Sequence, residues 1–444
     1  MFHMLKIRLS LIGCLLLMFG NVSASDFSYR VIGDDQLWQG EVKLQQPILV
    51  ATGATLTIAP GSRISVAEKT VGIRVEGRLL AVGRADAPIR FATPPGWHGI
   101  ELYQSDGMNR FEYLEVESAE IGLSSSLSRF EMKQSRFSNC QTAIKLQRQS
   151  VPLIAESEFV GNQLAIDIGT RTQVQLMRNS FVANATAVMA SHNSSGALLD
   201  NLFRENRQAV QLQHLFPGQL SGNLFENNQT GVLCDQTMNS PQIDGNRFLG
   251  NQRGVVSLLA SRPQIRHNRF ETNAVALVNN QLGSPMIGQN LFRANKIAIS
   301  NERRSAPKVE RNLFETNEIA LVCDYLSYPQ VKQNNFVDNR LAVKLGDHQS
   351  AAMEQQGVSE AQLQKFLAAT GKAGKMAIFT PASGVVDVSD NWWGGDVSEE
   401  AEQVFYARRQ EKWVLDDSSG ERYLRDQIIY SPWLQQPVAN AGPD

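Results

Sequence analysis

The sequence predicts an all-β solenoid built from coils of 22 residues, and three observations carry that expectation. Phenylalanine recurs at Phe137, Phe159, Phe181, Phe203, Phe225, Phe248, Phe270, Phe292, Phe314 and Phe336, with one interval of 23 residues among intervals of 22. Asparagine stands two residues before and three residues after nearly every one of them, as in Asn201, Phe203, Asn206 and in Asn312, Phe314, Asn317. Ser135, Ser157 and Cys140 are the early substitutes in these two columns. Apolar columns complete each unit: Ala or Gly six residues after the Phe, an aliphatic residue seven after it, and another five before it, such as Ile265 and Val309. Each coil thus offers three short apolar patches separated by turns, with spacing suited to strands and no 3.6-residue run long enough for a helix. Strands this short find partners only on the next coil, about 4.7–4.9 Å away, so parallel sheets must surround one continuous core.

Taken in order, the chain opens with an address. Lys6 and Arg8 precede the apolar stretch Leu9 to Gly20, and Val22, Ser23 and Ala24 supply small residues for cleavage, so residues 1–24 read as a signal peptide. Its removal takes away two basic and no acidic residues. Residues 25–127 read as an N-terminal cap with irregular opening coils, and residues 128–346 as the regular coils. Between Phe336 and Trp393 lie 57 residues where one coil needs 22, which marks 347–384 as an insertion. Within it 358–371 has the pattern of an amphipathic helix, with Ser359 and Gln362 as a capping box, Leu363, Phe366 and Leu367 on one face, and Gly371 at its end. That helix is either a cap on the last coils or a lid over a site. Residues 385–444 read as the last coil with a C-terminal cap or tail, the tail running from Pro437 onward.

Composition excludes several function classes. The 42 Lys and Arg against 44 Asp and Glu leave a formal charge of −2, with no basic footprint for nucleic acid. No apolar run reaches the roughly 18 residues of a membrane span, so no transmembrane segment is expected after signal cleavage. The expected location is the periplasm or the exterior.

In the columns, Asn is expected to bond backbone groups of turns that strand pairing leaves unsatisfied, and to stack along the axis as a ladder. Phe203, Asn206, Phe270, Asn273, Phe314 and Asn317 typify this structural set. Asn is also expected to supply left-handed backbone geometry in those turns. The coils, written N-x-F-x-x-N-x-x-A-I-x-L, resemble right-handed parallel β-helix repeats of the pectin-lyase-like superfamily, including those of the NosD type. The flanks are similar to those of secreted β-helix proteins: residues 55–61 and Trp97 to Ile100 to their opening coils, residues 391–396 followed by Tyr430 to Pro432 to their closing segment. In that register Trp393 takes the Phe slot, Asn391 the first Asn slot and Asp396 the second. The resemblance implies the fold; the superfamily holds lyases, hydrolases, epimerases, maturation factors and non-catalytic proteins, so function must come from a site.

Candidate sites are few. Asp244, Arg266, Glu310 and Lys332 share the slot four before Phe and alternate in sign, which suggests mutual neutralisation along a face. No catalytic residue is assignable, and none of the superfamily's hydrolase or lyase motifs is recognisable. His192 and His214 both stand eleven after their Phe on neighbouring coils, with Asp235 and Gln236 beside the next position. They form either a place for an anionic ligand or a shared metal, or simply two exposed turn histidines; no third ligand or metal motif accompanies them. No cofactor and no metal centre is expected. Cys140, Cys234 and Cys323 read as core thiols, the last two in one column about 19 Å apart at the strand spacing, too far for a disulfide. Met189, Leu233, Val256, Val278 and Val322 occupy the slot eight after Phe, interrupted by Gln211 and Ser300. This apolar strip is either an interface or a groove for the chain's own segment 397–436. The leading expectation is an exported, non-catalytic solenoid that binds a polysaccharide or a cell-envelope protein. The alternatives are a carbohydrate-active lyase, hydrolase or epimerase, and a NosD-like periplasmic maturation factor.

Overall fold

A computed structural model describes residues 29–191, 193–214, 216–352, 383–394, 413–415 and 422–443. The predicted helix 358–371 and residues 1–24 lie outside the described residues. Among the described residues, three parallel sheets run the length of the coils: sheet A has 15 strands from Arg30–Ile32 to Leu341–Leu345. Sheet B has 14 from Gln36–Trp38 to Gln330–Lys332, and sheet C has 14 from Glu41–Leu44 to Asn335–Val337. Each strand bonds to its equivalent one coil on, so identical columns meet: Phe248 pairs with Phe270, Ile243 with Ile265, and Val255 with Leu277. The result is a β-solenoid of roughly 22-residue coils. No helix among the described residues is long and apolar enough to cross a membrane.

The side-chain period explains the columns. Sheet C strands put the Phe inward, and the rings stack from Phe137 to Phe336 with centroids 4.6–5.8 Å apart. Trp393 continues the stack 4.5 Å from Phe336, as the register requires. Sheet A strands place two successive residues inward, as Ala187 and Val188 do. The first must be small, because it faces the next coil's ring and strand backbone: a Cβ on Gly254 would lie 2.5 Å from the Ala276 carbonyl oxygen and 3.2 Å from the Phe270 ring.

Two asparagine ladders flank the Phe stack. In each, the backbone N–H and the side-chain amide of one Asn both donate to Oδ1 of the Asn on the next coil, as Asn251 does to Asn273 at 2.9 and 3.0 Å. The amide also reaches back one coil, so that Asn273 Nδ2 donates to the Phe248 carbonyl at 3.0 Å. One ladder starts at Cys140 and runs to Asn339; the other starts at Ser135 and ends on Asn391. The left-handed geometry belongs elsewhere. It is the residue before each ladder position that has positive φ, including Gln134, Arg178, Asn227 and Thr272, while the ladder asparagines keep ordinary φ. The chain reverses at that preceding residue, and the reversal turns the next side chain inward under the coil.

The far end closes with its own chain. Residues 384–394 form a further half-coil, with Val388 buried in the apolar column five before Trp393. Residues 427–429 pair in parallel with 385–387, and Leu434 N–H donates to the Asn391 carbonyl at 2.9 Å. The segment after Pro437 turns back along sheet C: Val438 N–H donates to Asn335 Oδ1 and Gly442 N–H to the Arg311 carbonyl, both at 2.9 Å. It lies over Leu313, an outward apolar side chain that would otherwise face water.

Candidate functional site: the outer face of sheet A and its following turn

Sheet A alternates after its inward pair, so the residue eight after Phe points outward. Strand pairing puts Met189, Gln211, Leu233, Val256, Val278, Ser300 and Val322 in one unbroken row along the axis. Met189, Leu233, Val278 and Val322 are half-buried, and Val256 is buried, at 4% exposure. Sequence columns missed a second apolar row. Five residues after Phe, beside the strip, stand Val275, Ile297, Ile319 and Leu341, and Leu258 adds to the opposite edge. The run is continuous in the upper coils; lower down the same slot holds Thr142, Leu164, Thr186, Gln208, Thr230 and Arg253, which hid it in a column reading.

From Leu233 to Leu341 the strip therefore widens into a patch of two rows over six coils, with Leu258 at its edge. One edge is acidic, with Asp235, Glu302 and Asp324 ten residues after their Phe. Glu302 is held by Asn280 and Ser300, at 2.9 and 3.0 Å. Asp324 accepts from the backbone N–H groups of Tyr325 and His348, at 2.9 and 2.8 Å. The described parts of the C-terminal segment, 422–443, are bonded to the end coils and to sheet C, as set out above; residues 397–412 lie outside the described residues.

The turn after sheet A holds the predicted polar cluster only in part. His214 N–H donates to the Asp235 carbonyl at 3.1 Å, and both His214 and Gln236 have left-handed φ. Burial pushes the Asp235 carboxyl above its ordinary range, and the neighbouring His214 charge pulls the other way. Asp235 Oδ1 is buried without a hydrogen bond among the described residues. His192 lies outside the described residues.

The cysteines are core residues as expected. Cys234 and Cys323 face inward in one column, separated by Ser257, Asn279 and Asn301, and all five are at most 1% exposed. Burial pushes the thiol of Cys140 up to about 11 and those of Cys234 and Cys323 up to about 12. Since the folded pKa exceeds the ordinary 9.0, the folded state keeps protons that the unfolded state releases. This contribution to stability is whole below pH 9 and is lost as pH rises toward 12. Iodoacetamide at mildly alkaline pH is expected to leave all three unmodified in the native protein and to alkylate them after denaturation, read by intact-mass spectrometry.

Comparison with known families agrees with the fold. A family model described as periplasmic copper-binding protein (NosD) matches residues 187–357, and a right-handed β-helix region model matches residues 89–248. The chain is a right-handed parallel β-helix repeat protein, and these coils are similar to those of the NosD family. No curated protein matches it. The NosD match includes every coil that builds the apolar patch. The NosD description names copper, and copper needs several thiolate, thioether or imidazole donors converging on one point. Among the described residues the three thiols are buried apart from one another, and no three His, Cys, Asp or Glu side chains are grouped to hold a metal ion. NosD proteins are described as periplasmic, which agrees with a periplasmic location for this one.

Proposed function

We propose that this protein is an exported, non-catalytic scaffold that holds a partner protein of the cell envelope against the outer face of sheet A. Export rests on the signal-peptide pattern of residues 1–24 and on the periplasmic description of the NosD family. The observation that carries the reading is the patch of outward aliphatic side chains spanning six coils. At the coil spacing it runs about 25 Å along the axis, and an apolar surface of that extent marks an interface. Aliphatic rows suit another protein's apolar surface; they offer a sugar neither hydrogen-bond partners nor an aromatic face. The patch is smaller than the roughly 800 Å² that one partner contributes to a stable complex, so the contact is transient unless its rim takes part. The acidic edge at Asp235, Glu302 and Asp324 makes a partner with flanking basic residues complementary.

Replacing Val278 with a photo-crosslinking residue in the native cell tests this. The expected product is an adduct with one envelope protein, identified by mass spectrometry and abolished by Leu233→Lys with Val322→Lys at unchanged melting temperature. Crosslinks confined to the chain's own residues, or to a second copy of it, would overturn the proposal.

A further inference from the structure

A different face carries a second site. Along the outer face of sheet B, the column four before Phe runs Asp244, Arg266, Gly288, Glu310, Lys332 in strand register. The alternating charges do not neutralise one another as their order suggested. Asp244 is taken by His267 at 2.7 Å, Lys332 by Asp390 at 3.0 Å, and Glu310 by Lys308 from the neighbouring column at 2.9 Å. Arg266 is thereby left exposed with no ion pair among the described residues. Directly above it Gly288 leaves a gap. A Cβ there would find only the Glu310 carbonyl oxygen within 4 Å, at 3.5 Å, so packing does not demand the glycine.

The gap opens a depression of about 330 Å³ whose charged walls are Arg266, Lys308, Arg311 and Glu310, with Gln289 and Gln333 between them. That volume is at the lower end for small-molecule sites, about 300–1,000 Å³. Three cations face one carboxylate, and Arg311 is oriented by Gln333 Oε1 at 3.4 Å. We propose that this depression binds a singly charged, hydroxyl-rich acid of the sugar-acid class. The Arg266 fork matches the two oxygens of a carboxylate. Glu310 and the two glutamine amides accept from and donate to hydroxyls, and Glu310 also repels a second negative charge, which disfavours a phosphate dianion. Met286, 43% exposed at the rim, offers an apolar surface to the C–H face of a sugar ring.

The test is calorimetric titration of the full-length protein at low ionic strength with three probes: glucuronate, inorganic phosphate and neutral glucose. Glucuronate is expected to bind about tenfold or more tighter than either of the others. Arg266→Glu is expected to weaken it by at least about tenfold, and Gly288→Val to do the same by filling the gap at unchanged melting temperature. Arg269→Glu, an exposed charge reversal on sheet C, should leave the affinity as it was. Absence of glucuronate binding, equal binding of phosphate, or an equal loss in Arg269→Glu would each overturn the proposal. Lys substitutions on sheet A leave this titration unchanged, which separates its outcome from that of the partner site.

Discussion

Deleting residues 260–281 is expected to leave a folded solenoid one coil shorter, whereas deleting 260–270 unfolds the coils around the cut. The first deletion removes one complete set of strands from the three sheets, and the strand Arg253–Leu258 then meets Ile297–Asn301 with every column in place. Asn246 finds Asn290, Asn251 finds Asn295, and Phe248 stacks on Phe292, because each coil touches chiefly its neighbours. The second deletion moves strand residues onto turn positions and drives polar turn residues into a core where side chains such as Phe292 are fully buried. Far-ultraviolet circular dichroism and the melting transition separate the outcomes; equal unfolding of both variants would contradict independent coils.

Among single substitutions, Asn273→Ala is expected to be the most costly. Its side chain accepts from the Asn251 N–H and the Asn251 amide and donates to the Phe248 carbonyl. Truncation takes this partner from the Asn251 N–H, from one hydrogen of the Asn251 amide, whose other hydrogen keeps the Phe225 carbonyl, and from the Phe248 carbonyl, in an interior that water does not reach, at about 1–3 kcal/mol for each group left unsatisfied. The Asn273 backbone N–H keeps its partner, since Asn295 supplies that oxygen. Asn339→Ala removes the equivalent contacts at the end of the same ladder, where they are only part-buried and water can substitute, so its loss should be the smaller. Denaturant unfolding of the two variants measures the difference, and equal losses would show that burial does not set the cost.

The columns were legible because a solenoid makes the same demand on every coil. Phe at one inward position and Asn at two turn positions are repeated so often that spacing alone locates sheet C, both ladders and even Trp393 across a 57-residue interval. The left-handed residue was misplaced by one position because many residue types, Gln134 and Thr272 among them, fill it. With no fixed type, the column leaves no mark in the sequence. The buried row Ser257, Asn279 and Asn301 was hidden in the same way, since its column also holds Leu212 and Leu345. The functional faces were harder still. Arg266 and Gly288 become a site only through what Lys308, His267 and Asp390 do to the charges around them, and those pairings join different columns. A column compares like with like, whereas a site combines unlike residues.

Every bond between ladder asparagines runs the same way, from the N–H and amide of one coil to the oxygen of the next. The side-chain amides are therefore aligned head to tail, and their dipoles add as peptide dipoles do in a helix. The ladder oxygens face the N-terminal coils, while one hydrogen of each amide faces the C-terminal coil and the other bonds the carbonyl one coil back, so each ladder is polar along the axis, with its positive pole at the closing half-coil. Two carboxylates lie at that pole: Asp390 next to Asn391, and Asp426, 7% exposed and held by Tyr328, Gln349 and the Ala351 N–H. Two such rods brought end to end attract when the tail of one meets the head of the other and repel when like ends meet, so axial assembly of this molecule has a built-in sense of direction.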